Sequence, residues 1–365
     1  MTRNISFRDF DWMLLALVLV IAGLGVMEIY STTHNTRKFD GAHIKQIYWI
    51  LMAIGTMFLI SLIDYHALMN RWLFMYVPLI AGLGGLLVFG EKVFNSKRWI
   101  NLGGGAQFQV SEFVKLVIIL ALAQYFSESR LEAVSLPDLV KVGVLVGLPM
   151  GLILLQPDLG TALTLIPAVA VAVFLAGLRW QHALVLVLAG ALVAPVAWFV
   201  VLKPYQKDRV ATFLNPNLDP QKRGYQQLQS KIAVGSGGLW GKGTGKGSQT
   251  QGSFLPVPHT DFIFAAFAEE HGFFGVLSVL LLYFMVLMRL IQNAQTAPDR
   301  AGTFVVMGVT AILLFQVFVN VGMVVGYMPV VGIPLPLMSK GGSSILFTFM
   351  ALGLVNNVRL RRFVN

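Results

Sequence analysis

Cysteine is absent from the 365-residue chain, so no disulfide and no thiolate metal site can form. Charge is scarce too. Asp, Glu, Lys and Arg together make up 12% of residues, where soluble domains carry about 25%. Acids are the scarcer sign, 17 against 27 Lys and Arg, for a net charge of +10. On a soluble protein that excess would raise nucleic acid as a partner. Here the basic residues lie between long apolar runs, which points to lipid head groups or an anionic substrate and away from nucleic acid. A small-x-small cleavage site is missing after the first apolar run, Trp12 to Tyr30, so it reads as a retained span and not as a signal peptide. No internal repeat and no low-complexity tract stands out.

What is abundant is apolar surface, at 56% of residues. Crossing the hydrocarbon core takes about 20 apolar helical residues. Runs of that kind cover 12–30, 46–63, 72–90, 110–126, 139–155, 159–177, 182–202, 262–290, 303–325 and 342–358. The predicted fold is therefore an all-α integral membrane protein of about ten transmembrane helices, one polytopic domain over 1–365. The run at 262–290 carries Glu269, Glu270 and His271 early, which predicts a broken helix or one that opens into a cavity. Ten spans put both termini on one side. With the N-terminus cytoplasmic, the inside loops hold eleven Lys/Arg and the short outside loops seven. That bias, strongest at Arg359 to Arg362, favours N-in and C-in, with Arg130 also inside. Residues 203–260, between spans 7 and 8, then form a large extracytoplasmic loop with eight Lys/Arg and only Asp208 and Asp219 as acids. Its Tyr, Leu, Ile and Trp content argues against disorder, and loops of such length usually carry function.

Ionisable groups at membrane depth are functional candidates. Glu112 and Lys115 stand i, i+3 on one helix face and can pair, either as a packing device or as a polar cavity wall. Asp261 sits where the long loop meets the eighth span. It reads either as a helix cap or as a half-buried acid–base group. At least one of Glu269 and Glu270 must face the bundle interior. Asp158, in Gln156-Pro157-Asp158-Leu159-Gly160-Thr161, can cap the sixth span. Arg98 and Arg209 are candidate phosphate contacts, because guanidinium offers two donors. The stretch Gly235–Gly243 fails as a P-loop: Lys242 and Lys246 are each followed by Gly. It could still form a backbone nest for an anion. The start of the tenth span at Gly341-Gly342-Ser343-Ser344 could hold an anion at its free amides. The six His are scattered without metal-ligand spacing, so no metal site is predicted. Physics alone leaves a transporter and a membrane enzyme both open.

Six co-linear stretches narrow the choice. They are Lys97-Arg98-Trp99-Ile100, Phe108 to Lys115, Gln156 to Thr161, Gln229 to Gly238, His259 to Phe264 and Pro334 to Ser339. Together they resemble the SEDS family, the shape, elongation, division and sporulation group. The resemblance implies a peptidoglycan glycosyltransferase of the bacterial cytoplasmic membrane that polymerises lipid II, a disaccharide-peptide on undecaprenyl pyrophosphate. It further implies a class B penicillin-binding protein as partner and, for the elongation branch, MreB-linked machinery. It places Asp261 on the aspartate the family needs for activity and Glu112 and Lys115 on its polar cavity pair. Lys231 and Ser343 join Arg98, Asp158, Arg209 and Glu269 as candidate substrate contacts. No cofactor is required outright. Developing pyrophosphate charge could be met by Arg or Lys, or by a divalent cation such as Mg2+ or Mn2+. Val110 stands where the family usually has Pro, and Lys340 where it usually has Tyr. A lipid II flippase and the division branch of the family are the alternatives. The elongation branch rests on Gln229-Ser230-Lys231-Ile232 and the short termini.

Overall fold

The computed structural model describes residues 7–34, 41–90, 97–103, 106–128, 134–196, 198–199, 204–214 and 223–363. Arg130 and the end of the 182–202 run lie outside them, as do 203 and 215–222 of the predicted loop.

Each of the ten apolar runs forms a helix. In chain order the elements are α1 (Trp12–Thr33), α2 (Ala42–Leu62), the short α3 (Tyr65–Asn70), α4 (Trp72–Phe89), β1 (Trp99–Gly103), β2 (Ala106–Gln109), α5 (Val110–Glu128), α6 (Leu136–Leu155), α7 (Leu159–Leu175), α8 (Trp180–Val196), α9 (Pro204–Leu214), α10 (Arg223–Ser236), α11 (Ser248–Gln251), α12 (Ile263–Gln295), α13 (Arg300–Val325) and α14 (Gly342–Leu360). Eight are long and apolar enough to cross a membrane, and α7 and α8 are shorter apolar helices. Two features depart from the sequence reading. A two-stranded antiparallel hairpin, β1–β2, interrupts the all-α pattern before α5. The 203–260 segment, read from sequence only as an ordered loop, carries three helices, α9, α10 and α11.

α5, α13 and α14 form the buried centre, whereas α4 keeps only Leu83 covered and presents Phe74, Val77 and Phe89 outward. An apolar outer face is what lipid requires, since chain–lipid contact carries no hydrophobic penalty. Small residues set the close approaches. A Cβ on Gly353 would stand 2.8 Å from the Met57 carbonyl, so glycine lets α14 lie directly on α2. A Cβ on Gly25 would stand 2.6 Å from Met338 Cα, which brings α1 against the segment leading to α14.

α12 is broken. Gly272 adopts φ 64°, ψ −162°, a region open essentially to glycine alone. The predicted interruption of this span therefore falls just after Glu269-Glu270-His271. It divides α12 into a short half-helix, 263–271, and a long one, 273–295.

The end of the bundle holding both termini is closed by charge. Asp11 caps α1 by accepting from Leu14 N at 3.1 Å. Its buried carboxylate also takes Arg289 Nε at 2.9 Å, Asn293 Nδ2 at 2.9 Å and Arg359 Nη1 at 3.3 Å. Asp11 N donates to Asn356 Oδ1 at 2.8 Å. One acid thus joins α1, α12 and α14. Removing it leaves two arginines without their counter-charge, so Asp11→Ala should lower folding stability by about 3 kcal/mol. Thermal unfolding of the purified protein in detergent checks this, and an unchanged midpoint would mean that the cluster contributes nothing.

Candidate functional site

At the opposite end of the bundle from the termini, the segment 256–261 runs into α12. α12 starts at Ile263 with Phe262 at its N-cap and no side-chain capping bond. The Asp261 carboxylate therefore does not cap the helix. Its main chain is fixed from behind: Asn320 Nδ2, on α13, donates to Asp261 O at 3.0 Å and to Ile333 O at 2.8 Å. Ser339 Oγ donates to Thr260 O at 2.7 Å and accepts from Leu335 N at 2.8 Å. Lys340 N donates to His259 O at 3.0 Å. These bonds hold the turn in which Leu337 has φ 70°, a conformation that branched residues rarely adopt.

Asp261 is half-buried. Desolvation raises its carboxyl above the usual range. The positive charges of Arg98 and Arg209 oppose that rise, and the like charge of Asp158 adds to it. Four sequence-predicted residues, Asp261, Arg98, Arg209 and Asp158, therefore share one electrostatic neighbourhood. A Cβ on Gly332 (φ 76°) would stand 3.4 Å from Asp261 Oδ2, so the glycine keeps that side of the carboxylate clear.

Asp158 organises the cations. It caps α7 by accepting from Thr161 N at 3.2 Å, as its position in the sequence suggested. Beyond capping, it takes Thr161 Oγ1 at 2.9 Å and Gln109 Nε2 at 2.6 Å, and pairs with Arg98 Nη1 at 3.1 Å. Arg98 Nε is buried and meets no acceptor. Arg209 reaches Val331 O at 3.0 Å and lines a small pocket with Thr212, Phe213, Gln227 and Val330. Ser343, at the start of α14, accepts from Gln109 N at 2.9 Å and so ties the β2 strand to the tenth span. Nearby, burial, with a smaller push from the Lys340 charge, lowers the His259 imidazole to about 4.

The other candidates lie elsewhere. Glu112 and Lys115 form the predicted pair at 2.8 Å. They are sealed in the bundle, with Lys115 Nζ 3.9 Å from the centroid of the Phe347 ring on α14. Lys231 is exposed on α10, its stem running beside Gly326 at the end of α13. Glu269 is fully buried. It accepts from Lys242 Nζ at 2.7 Å, Gln249 N at 2.8 Å, Thr250 N at 3.0 Å and Thr250 Oγ1 at 2.8 Å.

The glycine-rich stretch wraps the break in α12 and makes no anion nest from these amides. Lys242 N and Gly243 N donate to the Glu269 and Glu270 carbonyls at 3.1 and 2.9 Å. Phe273 N donates to Gly238 O at 2.9 Å. A Cβ at Gly241 would sit 2.2 Å from Glu270 O. The loop backbone thus satisfies polar groups that the broken helix releases.

Sequence reasoning passed over Gln109, Asn320 and Ser339, which position the site, and Glu28, a lone acid inside the first apolar run. A polar residue within an apolar span was the available signal for Asn320 and Glu28. Among the described residues, three metal-ligating groups converge only at Glu28, Glu270 and His271.

A family model for FTSW_RODA_SPOVE, a cell cycle protein, matches residues 11–362. The chain belongs to this family. Its SEDS resemblance, drawn from short motifs, thus holds over nearly the whole FTSW_RODA_SPOVE match. The chain is 34% identical to peptidoglycan glycosyltransferase RodA of Treponema pallidum (strain Nichols), covering 99% of each chain. It is 40% identical to peptidoglycan glycosyltransferase MrdB of Escherichia coli (strain K12) over 79% of this chain and 78% of that one. Among solved structures, the rod shape determining protein RodA of Thermus thermophilus is 32% identical with a TM-score of 0.72, covering 97% of this chain and 98% of that one. A chain from work on the structural coordination of polymerization and crosslinking by a peptidoglycan synthase complex is 34% identical, with a TM-score of 0.83 and the same coverage.

Glu269 gathers five donors from one loop, Ser248 Oγ at 3.3 Å among them, and a neutral amide cannot accept them all. Glu269→Gln should loosen residues 242–252 by about 2 kcal/mol. Hydrogen exchange should quicken there, with no change at Asp261. Unchanged protection of Gln249 and Thr250 would remove Glu269 from this role.

Proposed function

We propose that the chain is a peptidoglycan glycosyltransferase that polymerises lipid II, with Asp261 as its general base. The observation that carries this reading is the half-buried Asp261 carboxylate, which does not cap α12 and stands within the electrostatic reach of Arg98, Arg209 and Asp158. Attack by the acceptor sugar's 4-hydroxyl on the donor's anomeric carbon needs a group to take the hydroxyl proton. A carboxyl raised by desolvation takes that proton more readily. The leaving pyrophosphate departs as an anion, and cations placed where charge develops lower the barrier. Arg98 suits that task, since its Nε has no acceptor and Asp158 fixes its fork. Arg209 offers a second guanidinium, and the exposed Lys231 is a candidate contact for an extended lipid-linked substrate, whereas Ser343 is buried and acts through its bond to Gln109.

A flippase would need polar groups along the whole crossing. Glu112 and Lys115 are instead paired and closed over by Phe347, which favours the enzyme. The peptidoglycan synthase complex to which the chain is similar supports a class B penicillin-binding protein as partner. The elongation role, with MreB-linked machinery, draws on the 40% identity to the relative named MrdB. The exposed apolar spans suit a bacterial inner membrane.

Orientation follows from charge. Arg359 and Arg361 share the terminal end of the bundle with Asp11, and the basic bias makes that end cytoplasmic. The 203–260 segment then faces outward, since its loop meets the far end of α1 through Gly245 N and Ser31 Oγ at 3.0 Å. Lys246→Cys, the sole thiol in such a chain, should react with an impermeant maleimide from outside the cell. Labelling only after the inner face is opened would reverse the topology.

Asp261→Asn keeps the side chain's size and removes the base. It should retain folding and partner binding and lose about 10²–10⁴-fold in glycan synthesis. The pH profile has a definite sign. Because the carboxyl is raised, activity should increase with pH through a limb above the ordinary carboxylate range. Arg98→Gln removes a charge that favours the ionised form, so that limb should move to higher pH. Near wild-type polymerisation by Asp261→Asn in a purified assay would defeat the mechanism.

A further inference from the structure

Three ionisable side chains outside the Asp261 neighbourhood meet near the outer end of α1. They are Glu28 on α1, and Glu270 and His271 just before the break at Gly272. One ligand atom from each lies within 4.8 Å of the other two. Around a single first-row ion bound at about 2.0–2.2 Å, ligand atoms sit about 3–4 Å apart.

The second observation is Glu28 itself. It is fully buried, and neither carboxylate oxygen has a hydrogen-bond partner. Its nearest positive candidate is His271 Nδ1, 3.9 Å from Oε2. Its electrostatic neighbours include Glu270 and Glu269, which repel it. Lys242, on the loop that wraps the break, is bound to Glu269. Burying two carboxylates with no compensating charge is costly. Glu270 is held in place for a ligand role, since Ser31 Oγ donates to its two oxygens at 2.6 and 2.7 Å. Ser31 in turn receives Gly245 N. Such outer bonds orient ligating carboxylates. His271 keeps part of its ring exposed, with Nε2 3.4 Å from the exposed Thr244 Oγ1, so a path from solvent exists.

We propose that Glu28, Glu270 and His271 form a binding site for a divalent first-row cation, Mn2+ or Zn2+ in preference to Mg2+. Two carboxylates and an imidazole make a mixed donor set. Imidazole favours the transition ions, whereas Mg2+ seeks oxygen and water. The ion ties the outer end of α1 to the half-helix of α12 and to the glycine-rich loop. Glu270 stands nine residues beyond Asp261, on the order of 13 Å along a helix. The site is therefore a structural tie and does not touch the reacting atoms.

The test uses the full chain purified in detergent, stripped with chelator and dialysed against Mn2+, Zn2+ or Mg2+ separately. Bound metal is counted by mass spectrometry, and the Mn2+ sample is also read by electron paramagnetic resonance. The expected result is about one Mn2+ or Zn2+ per chain, with a higher melting temperature than the stripped protein. Glu28→Gln and His271→Gln should each weaken binding at least about tenfold. Asp261→Asn should bind as the wild type does, which separates this site from the polymerase reading. Glu28→Gln is nearly isosteric, and its melting curve without metal establishes that it is folded. Equal metal content in wild type and Glu28→Gln would overturn the proposal. So would the absence of Mn2+ and Zn2+ binding in the wild type.

Discussion

The carboxylate of Asp158 is the junction on which the proposed site depends. Four bonds converge on it from three separate parts of the chain: the β hairpin through Gln109, the preceding loop through Arg98, and α7 through both polar atoms of Thr161. Arg98 is a long, flexible side chain, and fixing it costs about 2 kcal/mol of rotamer entropy. The pair with Asp158 offsets that cost before any substrate arrives. Gln109 then passes the constraint on, since its amide meets Ser343 at the head of α14. The tight turn that joins α6 to α7 is thus the fixed point against which the hairpin, the cation and the tenth span are aligned.

The ten apolar runs were legible because lipid imposes a length and a composition on every crossing segment. The break in α12 was legible for the converse reason, since Glu269, Glu270 and His271 cannot stand in lipid. Asp261 was found by motif, and its spacing left a helix cap open until the structure placed Phe262 at the cap. Long-range pairing was not legible. Glu28 and Glu270 are separated by more than half the chain, and no local period links them. The role of Glu269 was also hidden. A carboxylate's chemistry is the same whether it meets a sugar or the amides of Gln249 and Thr250, and only the fold chooses. The glycine-rich loop misled in the same way, because glycines that admit a phosphate and glycines that admit a carbonyl look alike in sequence.

The basic residues serve two purposes at once. Arg359 and Arg361 belong to the basic bias on which the proposed orientation rests, yet both are tied into the packing. Arg359 bonds to Asp9 O, Asp11 and Asn293. Arg361 reaches Asn357 Oδ1 and Leu62 O at 2.7 and 3.0 Å. The same residues thus fasten α14 to α1, α2 and α12.

The half-helix between Ile263 and Gly272 imposes a rule of register. Asp261 at its head and Glu269 and Glu270 at its foot are joined by rigid α-helix, with 3.6 residues to the turn. One inserted or deleted residue would turn the foot by about 100° relative to the head. Lys242 and Thr250 would then face an apolar side, and Gly241 would meet a side chain in place of a carbonyl. Substitution acts on one side chain at a time here, whereas a change of length displaces every contact at the foot at once. The distance from the Glu269 anchor to the Asp261 carboxylate is therefore counted in whole residues, and the chain has no freedom to drift from that count.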